Sequence, residues 1–286
     1  MKVGLHSNCL TKKSRPVLHQ LAQHLAQQQG RLLLSAPLHT LLQAAGEQGW
    51  EVVEDYQALD LLISLGGDGT LLQAVRHVGP AATPILGINT GQMGFLATVA
   101  PQAAVAAVDS FAQGKHTLDP RALLQAVPKG APGPLPSWAL NEVAILKRDS
   151  AAMLTIQVSI DNAPCATYWA DGLLVTTPTG STAYSLACGG PIVLPQTCNL
   201  LLTPVSPHNL SVRPLVVPDT ATLTLRVKSS NQQYLLALDG QPHTMPTEVT
   251  LTVGKAPFQA QLVKVGKHTI FDTLRQKLHW GLDVRN

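Results

Sequence analysis

The pentapeptide Gly66-Gly67-Asp68-Gly69-Thr70 lies where a predicted strand meets a predicted helix, and it constrains the fold more than any other feature. It follows the apolar run 61–65 and precedes the segment 71–75, which has helical character. Because glycine lacks a Cβ atom, we expect this backbone to adopt positive φ and to bring amide N–H groups close to phosphate oxygens. The positive end of the following helix points to the same place. The motif therefore predicts an anion site at a strand end.

Asp68 places a carboxylate inside this predicted phosphate loop. Such a charge is unfavourable unless it holds a metal ion or accepts a proton from a hydroxyl that attacks phosphorus. The second role is that of the base of a kinase. The alternative is a glycine-rich turn between strand and helix, with Asp68 as a helix cap.

Strand-like and helix-like segments alternate through the first domain, which we place at residues 1–119. Four short apolar runs have the composition of strands: 3–5, 31–35, 61–65 and 84–88. Segments with helical periodicity separate them. This alternation predicts an α/β domain with a doubly wound parallel sheet, in which ligands bind at the carboxyl ends of strands.

Helical periodicity nearly ends after residue 119, where short β-rich segments separated by turn residues follow one another. We therefore predict an all-β, β-sandwich-like domain over residues 120–268. A helical pattern returns near the C-terminus, with Leu274 and Leu278 four residues apart. We expect this helix, in residues 269–286, to pack back on the first domain.

The charge balance excludes several classes of partner. The 20 Lys and Arg against 17 Asp and Glu give a net charge of +3 without a basic run, which is too little for a nucleic-acid-binding protein. No apolar segment has the length of a membrane span, and the N-terminus does not resemble a signal peptide. The four cysteines lack a C-x-x-C pair, and no metal-ligand set is predicted. We expect a soluble cytoplasmic protein.

Two further segments carry polar residues at predicted strand ends. In the loop Gly87–Phe95, Phe95 is placed to lie against a base, although it could equally fill the core. The pair Asn141-Glu142 interrupts an apolar β segment. A glutamate there suits a ribose diol and an asparagine suits an adenine edge, whereas the alternative is a solvent-facing pair.

The densest polar segment follows Asp171-Gly172 and has the pattern of a strand, a tight turn and a helix start. It combines hydroxyl groups, a glycine and one aromatic ring without a cluster of cations. That chemistry suits an uncharged base and sugar better than a triphosphate. The residues are Thr179, Gly180, Ser181, Thr182, Tyr184 and Ser185.

Taken together and in this order, these motifs resemble the NAD kinase family. The resemblance rests on Gly66–Thr70, Asn141-Glu142, Asp171-Gly172 and Pro178–Ser185. It is supported by Gly87–Phe95, Ser206–His208, Arg213–Leu215 and Asp239–Gln241. It covers most of the chain from about residue 60 to the C-terminus, and the threonine-tyrosine segment is its most specific part.

The resemblance implies transfer of a phosphoryl group from ATP, or from polyphosphate, to the 2′-hydroxyl of the adenosine ribose of NAD, giving NADP. Asp68 would be the base. The donor's phosphates would bind to Gly66, Gly67, Gly69 and Thr70, with Mg²⁺ or another divalent cation bridging them.

It also implies a set of NAD contacts and a homodimer or homotetramer. The contacts carried over are Asp68, Gly69, Phe95, Asn141, Glu142, Asp171, Thr182, Ala183, Tyr184, Ser185, Ala187 and Gln241. Preference for NAD or NADH, the donor, and the choice between Lys147 and Arg148 as a ligand contact stay open. A lipid kinase and a sensor that binds NAD without turnover are the rival interpretations.

Overall fold

The computed structural model describes residues 1–91, 94–130, 137–149 and 153–281. The chain forms two compact units. One unit consists of Met1–Pro120 together with the segment from Ala260 onward, and the other consists of Arg121–Gln259. Each unit has its own apolar core.

Strands and helices alternate in the first unit, as the periodicity predicts. Its elements are β1 (Lys2–His6), α1 (Ser14–Gln27), β2 (Arg31–Leu34), α2 (Ala36–Ala44), β3 (Glu51–Val52), β4 (Leu61–Gly66), α3 (Asp68–Val78), β5 (Ile85–Asn89) and α4 (Ala104–Ala112), and near the C-terminus α6 (Ile270–Leu278).

Strands β1 to β5 of this unit pair in parallel in the order β5-β4-β1-β2-β3. All six residues of the central strand β4 are buried, which explains its continuous apolar run. Leucines from α1 and α2 cover one face of the sheet, and each fully buried leucine contributes about 1.5–3 kcal/mol to stability. The core thus fixes β4 and β5, whose C-terminal ends carry the glycine-rich loops.

The second unit consists mostly of antiparallel strands. Its elements are β6 (Thr117–Lys129), β7 (Trp138–Ala139), β8 (Glu142–Leu146), β9 (Leu154–Ile160), β10 (Ala163–Thr176), α5 (Tyr184–Ala187), β11 (Asn199–Pro207), β12 (Leu215–Pro218), β13 (Leu223–Lys228), β14 (Gln233–Leu238), β15 (Gln241–Pro246) and β16 (Thr250–Lys264), where β6 begins before the unit boundary and β16 ends beyond it.

The long strand β10 organises this unit, because it pairs with β8, β9 and β11. Strand β8 in turn pairs with β14, and β14 forms a hairpin with β15. The apolar side chains of these strands form the core, with Tyr234 as its largest fully buried side chain. The predicted fold class, an α/β parallel sheet followed by a mostly β domain, is confirmed.

The helices of the described residues are short, and none of them is long and apolar enough to cross a membrane.

Candidate active site

The predicted phosphate loop connects β4 to α3. Gly66 ends the strand, Gly67 is the N-cap residue with an extended backbone, and the helix begins at Asp68. Thr70 N already donates to Gly67 O at 3.0 Å, so the first-turn amides that are available to a ligand are those of Asp68 and Gly69. A Cβ atom on Gly67 or Gly69 would meet no described atom within 4 Å. The loop is therefore accessible from outside.

The glycines of this loop do not serve the purpose that we predicted for them. None of Gly66, Gly67 and Gly69 has positive φ, so that expectation is wrong. Gly66 is instead required by a close contact, because a Cβ atom there would lie 2.2 Å from Thr70 Oγ1. Thr70 is buried, and its hydroxyl lies directly over the end of β4.

Asp68 does not cap the helix, so the alternative interpretation of this residue is wrong. Its carboxylate accepts three backbone N–H groups from the loop that follows β5. Oδ2 accepts from Phe95 N at 2.7 Å, and Oδ1 accepts from Leu96 N at 3.0 Å and from Ala97 N at 3.1 Å. These bonds fix the carboxylate in one orientation.

Gly94 allows this approach of the loop to the carboxylate. A Cβ atom on Gly94 would lie 1.9 Å from Asp68 Oδ1 and 2.5 Å from its Cγ. Carboxylate oxygens together offer about four lone-pair sites, of which the loop uses three. Among the described contacts, one site on Oδ2 is left to accept a further proton donor.

The rest of the loop after β5 is held by its own hydrogen bonds. The buried Asn89 accepts from Gly91 N at 2.8 Å and donates to Ala97 O at 3.2 Å. The amino group of Lys277, from α6, lies over the half-buried ring of Phe95, 4.7 Å from the ring centroid. Within the predicted loop Gly87–Phe95, residues 92 and 93 lie outside the described residues.

In the second unit, Asp239 holds the Asn141-Glu142 pair. Its carboxylate accepts from Leu140 N at 2.7 Å, Asn141 N at 2.8 Å and Glu142 N at 3.2 Å. Asp239 lies in the turn between β14 and β15 with a φ of 47°, a left-handed conformation that aspartate tolerates better than most residues. Three consecutive amides are again held by one carboxylate.

Glu142 is buried, which excludes the interpretation of the pair as solvent-facing. Burial and the nearby charge of Asp239 raise the pKa of Glu142 to about 7. Its Oε2 atom has no hydrogen-bond partner among the described residues. A buried polar atom without a partner is costly, so this atom is suited to a ligand hydroxyl.

The segment after β10 packs against the same pair. Thr177 Oγ1 donates to Leu140 O at 2.6 Å and accepts from Gly180 N at 3.1 Å. A Cβ atom on Gly180 would lie 2.2 Å from Asn141 O, so only glycine fits here. The threonine-rich turn and the Asn141-Glu142 pair therefore form one structure.

The residues of this segment differ in what they can offer to a ligand. Ser185 is buried, and its hydroxyl is hydrogen-bonded to Thr203 Oγ1 at 2.8 Å, a bond within the protein fold. Tyr184 is 39% exposed, and burial together with negative charge at Cys188, Glu142 and Asp171 raises its pKa. The exposed Ala187 ends α5. Tyr184 thus presents an accessible ring close to Glu142.

Lys147 and Arg148, the two basic residues after the Asn141-Glu142 pair, have different partners. Lys147 Nζ lies 2.7 Å from Asp171 Oδ1, whereas Arg148 bonds to Gln233. Asp171 is on β10 five residues before Thr176, which pairs with Glu142. Lys147 is therefore the cation that orients this carboxylate.

The predicted residues fall into two groups, one in each unit. Asp68, Gly69, Thr70 and Phe95 come together at the ends of β4 and β5. In the second unit, the group around Glu142 contains the threonine-tyrosine segment and the hairpin turn that precedes the exposed Gln241, while Asp171 lies further along the sheet.

Sequence reasoning missed the roles of Gly94 and Asp239. Each residue lies in a recognisable local pattern: Gly94 stands before Phe95 in a glycine-rich loop, and Asp239-Gly240 is a turn pair between apolar runs. Neither pattern indicates which distant residue the side chain or backbone contacts. Among the described residues, no cluster of three or more His, Cys, Asp or Glu side chains could hold a metal ion.

Comparison with protein families gives two matches. Residues 43–116 match the model of the ATP-NAD kinase N-terminal domain, and residues 140–265 match that of the ATP-NAD kinase C-terminal domain. An NAD kinase of Cytophaga hutchinsonii is 44% identical over 227 residues, which cover 79% of this chain and 78% of that protein.

Two solved structures share the fold. A yeast NADH kinase in complex with NADH has a TM-score of 0.88 at 23% identity, covering 100% of this chain and 89% of its own. An Archaeoglobus fulgidus NAD kinase in complex with ATP has a TM-score of 0.78 at 24% identity, and the match covers 98% of this chain and 99% of that one.

Proposed function

The chain belongs to the ATP-NAD kinase family, whose reaction is the phosphorylation of NAD to NADP, and we propose that Asp68 is the catalytic base of that reaction. The 2′-hydroxyl of the adenosine ribose attacks the terminal phosphorus of the donor. Asp68 accepts the proton of this hydroxyl as the new P–O bond forms and the bond from the terminal phosphorus to the bridging oxygen of the donor breaks, which releases ADP when the donor is ATP.

The hydrogen bonding of Asp68 is the observation that carries this proposal. Three backbone N–H groups hold its two oxygens, and the remaining lone-pair site lies on Oδ2. Phosphoryl transfer depends mainly on positioning and on late acceptance of the proton, so a fixed carboxylate with one open site suits it. A non-catalytic sensor gains nothing from this arrangement.

The donor's phosphates bind to Gly66, Gly67, Gly69 and Thr70 in this proposal. Support comes from the open surface at Gly67 and Gly69 and from the start of α3 at Asp68, where first-turn amides favour an anion. The Archaeoglobus relative was solved with ATP, which makes ATP the donor that we propose.

The second unit supplies most of the NAD contacts. Glu142 is placed to bond the ribose diol through its unpartnered Oε2, and the ring of Tyr184 is placed to lie against a base. Further contacts are proposed for Asn141, Asp171, Thr182, Ala183, Ser185, Ala187 and Gln241. Ser185 contributes through its backbone, because its hydroxyl bonds to Thr203.

Magnesium enters with the donor in this proposal. The described residues contain one carboxylate in the phosphate loop, Asp68, and no cluster that could form a protein cage. This donor set fits a cation that is held mainly by phosphate oxygens and retains water. When bound, it neutralises charge on the transferring phosphoryl group.

The remaining proposals concern assembly and location. We propose a cytoplasmic homodimer or homotetramer on the strength of the sequence resemblance. Light scattering on the purified protein measures the mass of the assembly, and a monomer at micromolar concentration contradicts the proposal.

The direct test of function is NADP formation by the purified protein from NAD, ATP and Mg²⁺, measured with an NADP-specific dehydrogenase. Parallel reactions replace NAD with NADH or with diacylglycerol in vesicles, and ATP with polyphosphate. Phosphorylation of the lipid instead of NAD would show that the lipid-kinase interpretation is the correct one.

A further inference from the structure

We propose that an outward-facing cavity of the second unit binds a small phosphorylated polyol through its phosphate group and its hydroxyl groups. The cavity has a volume of about 650 Å³, within the usual range for small-molecule sites. Its walls come from β9, β10 and β13, and the described residues that line it include none assigned to NAD or to the phosphate loop. A ligand bound here would therefore leave the contacts proposed for both kinase substrates free.

The register of the three strands brings the polar groups of the cavity together. Gln157 on β9 pairs with Thr167 of β10 on one side and with Arg226 of β13 on the other. In the neighbouring row, Ser159 pairs with Thr224. Adjacent strands lie about 4.8 Å apart, so the row of three residues spans about 10 Å, which is long enough for a hexose phosphate.

The cavity lies on the solvent side of the sheet, and a bulge accounts for its concave shape. The two neighbours of Arg226 along β13 are buried in the core, whereas Arg226 itself is exposed, as the alternation of side chains along a strand requires. The pairing of β10 with β9 shifts register between Pro164 and Ala166, so that Cys165 is an extra residue. Such a bulge bends and twists its strand, which curves this end of the sheet.

The lining is polar, and its side chains are not used by the fold. Five of them make no hydrogen bond or ion pair within the part of the chain that the structure describes: Gln157, Ser159, Thr167, Thr224 and Arg226. Arg226 is the one charged residue of the described lining. A guanidinium group can bind a phosphate with two parallel N–H bonds, and hydroxyl and amide groups match the hydroxyls of a polyol.

The same lining argues against other anions. The described residues that line the cavity include no aromatic ring, so the base of a nucleotide would find no ring to stack on. A single arginine suits one phosphate group better than a chain of them. Inorganic phosphate would use Arg226 and leave the wall of hydroxyl groups to water. A phosphorylated polyol uses both.

Calorimetry with glucose 6-phosphate, inorganic phosphate and glucose as separate probes tests the site. Arg226→Gln removes the charge of the cavity, and Lys228→Gln makes the same change at an exposed position two residues along β13 that does not line it. We expect Arg226→Gln to weaken binding of glucose 6-phosphate by at least about tenfold, and Lys228→Gln by less than about threefold. Inorganic phosphate should bind wild type at least about tenfold more weakly than glucose 6-phosphate, and glucose more weakly still.

Cys165 reports occupancy of the cavity in the unaltered protein. It is exposed and lines the cavity, whereas Cys198 is an exposed thiol of the same unit that lies outside it. Labelling with a maleimide, followed by mass spectrometry of the peptides, measures both rates in one sample. Saturating glucose 6-phosphate should slow the labelling of Cys165 at least about fivefold and change that of Cys198 by less than about twofold, because the reaction needs an accessible thiolate.

Absence of measurable binding of glucose 6-phosphate, equal binding by the two variants, or equal protection of the two thiols would overturn the proposal. Equal affinity for inorganic phosphate and for glucose 6-phosphate would also overturn it, since the hydroxyl groups of the wall would then bind no polyol. None of these outcomes depends on NADP formation, so the proposed function is tested separately.

Discussion

Gly94 lies so close to Asp68 that a Cβ atom on the glycine would be 1.9 Å from Oδ1 of the carboxylate. We predict that Gly94→Ala displaces Asp68 and lowers kcat by at least about a hundredfold, because a shift of about 1 Å in a reacting group has effects of that size. The overpacked contact should also cost about 1–3 kcal/mol of unfolding free energy.

Gly91→Ala is the matched control in the same loop, because a Cβ atom there would meet its nearest atom, Asn89 Oδ1, at 3.7 Å. Steady-state kinetics and urea unfolding of both variants make the comparison. Similar kcat values for the two variants would show that the close contact does not position Asp68.

Asp239→Asn should weaken NAD binding without touching the phosphate loop. The substituted amide nitrogen cannot accept a backbone N–H, so at least one of the bonds to Leu140, Asn141 and Glu142 is lost. We expect the KM for NAD to rise about tenfold with a smaller fall in kcat. Steady-state kinetics of the variant and of wild type test this, because the rise in the KM for NAD should exceed the fall in kcat.

Asp161→Asn is the control for that change. Asp161 also has a positive φ, 49°, and also accepts a backbone N–H, from Thr222, in another turn of the same unit. A rise in the KM for NAD of equal size in both variants would assign the effect to general loosening of the unit.

The raised pKa of Glu142 predicts a pH dependence of stability. The folded-state pKa is about 7 and the ordinary value is 4.5, so protonated Glu142 stabilises the fold fully below about pH 4.5. This stabilisation is lost as the pH rises through 7, and the shift corresponds to about 3 kcal/mol.

Glu142→Gln removes that titration. We expect the unfolding free energy of the variant, relative to wild type, to increase between pH 5 and pH 8 by up to that amount, measured by urea unfolding. Glu54→Gln changes an exposed glutamate and serves as the control. A constant difference between Glu142→Gln and wild type across this range would mean that Glu142 ionises normally.

The ion pair between Lys147 and Asp171 predicts different effects for two adjacent basic residues. Lys147→Ala frees Asp171, and we expect the KM for NAD to rise several-fold if that carboxylate orients NAD. Stability should change by only about 0.5 kcal/mol, since both side chains are partly exposed. Arg148→Ala should leave the KM for NAD unchanged. A larger rise in this KM for Arg148→Ala than for Lys147→Ala would show that Arg148, and not Lys147, supports NAD binding.

Local sequence patterns predict the frame of this protein well. The alternation of apolar runs with helical periodicity predicts the parallel sheet, and the glycine-rich pentapeptide predicts the turn from β4 to α3. Both signals depend on residues within one or two turns of each other, where periodicity is informative.

Contacts between distant residues explain what the sequence did not predict. Asp68 bonds to residues 27–29 positions later, and Asp239 bonds to residues 97–99 positions earlier. Gly180 is a glycine because the backbone of Asn141, 39 residues earlier, approaches it, and not because of its dihedral angles. Local patterns in a single sequence do not indicate which distant residues come into contact in the fold.

The most direct measurement of the central claim compares Asp68→Asn with wild type in both turnover and NAD binding. We predict that kcat for NADP formation falls by several orders of magnitude while the dissociation constant for NAD stays within about tenfold, because the base is lost and most NAD contacts are kept. A variant that retains near-normal kcat would contradict the assignment of Asp68 as the base.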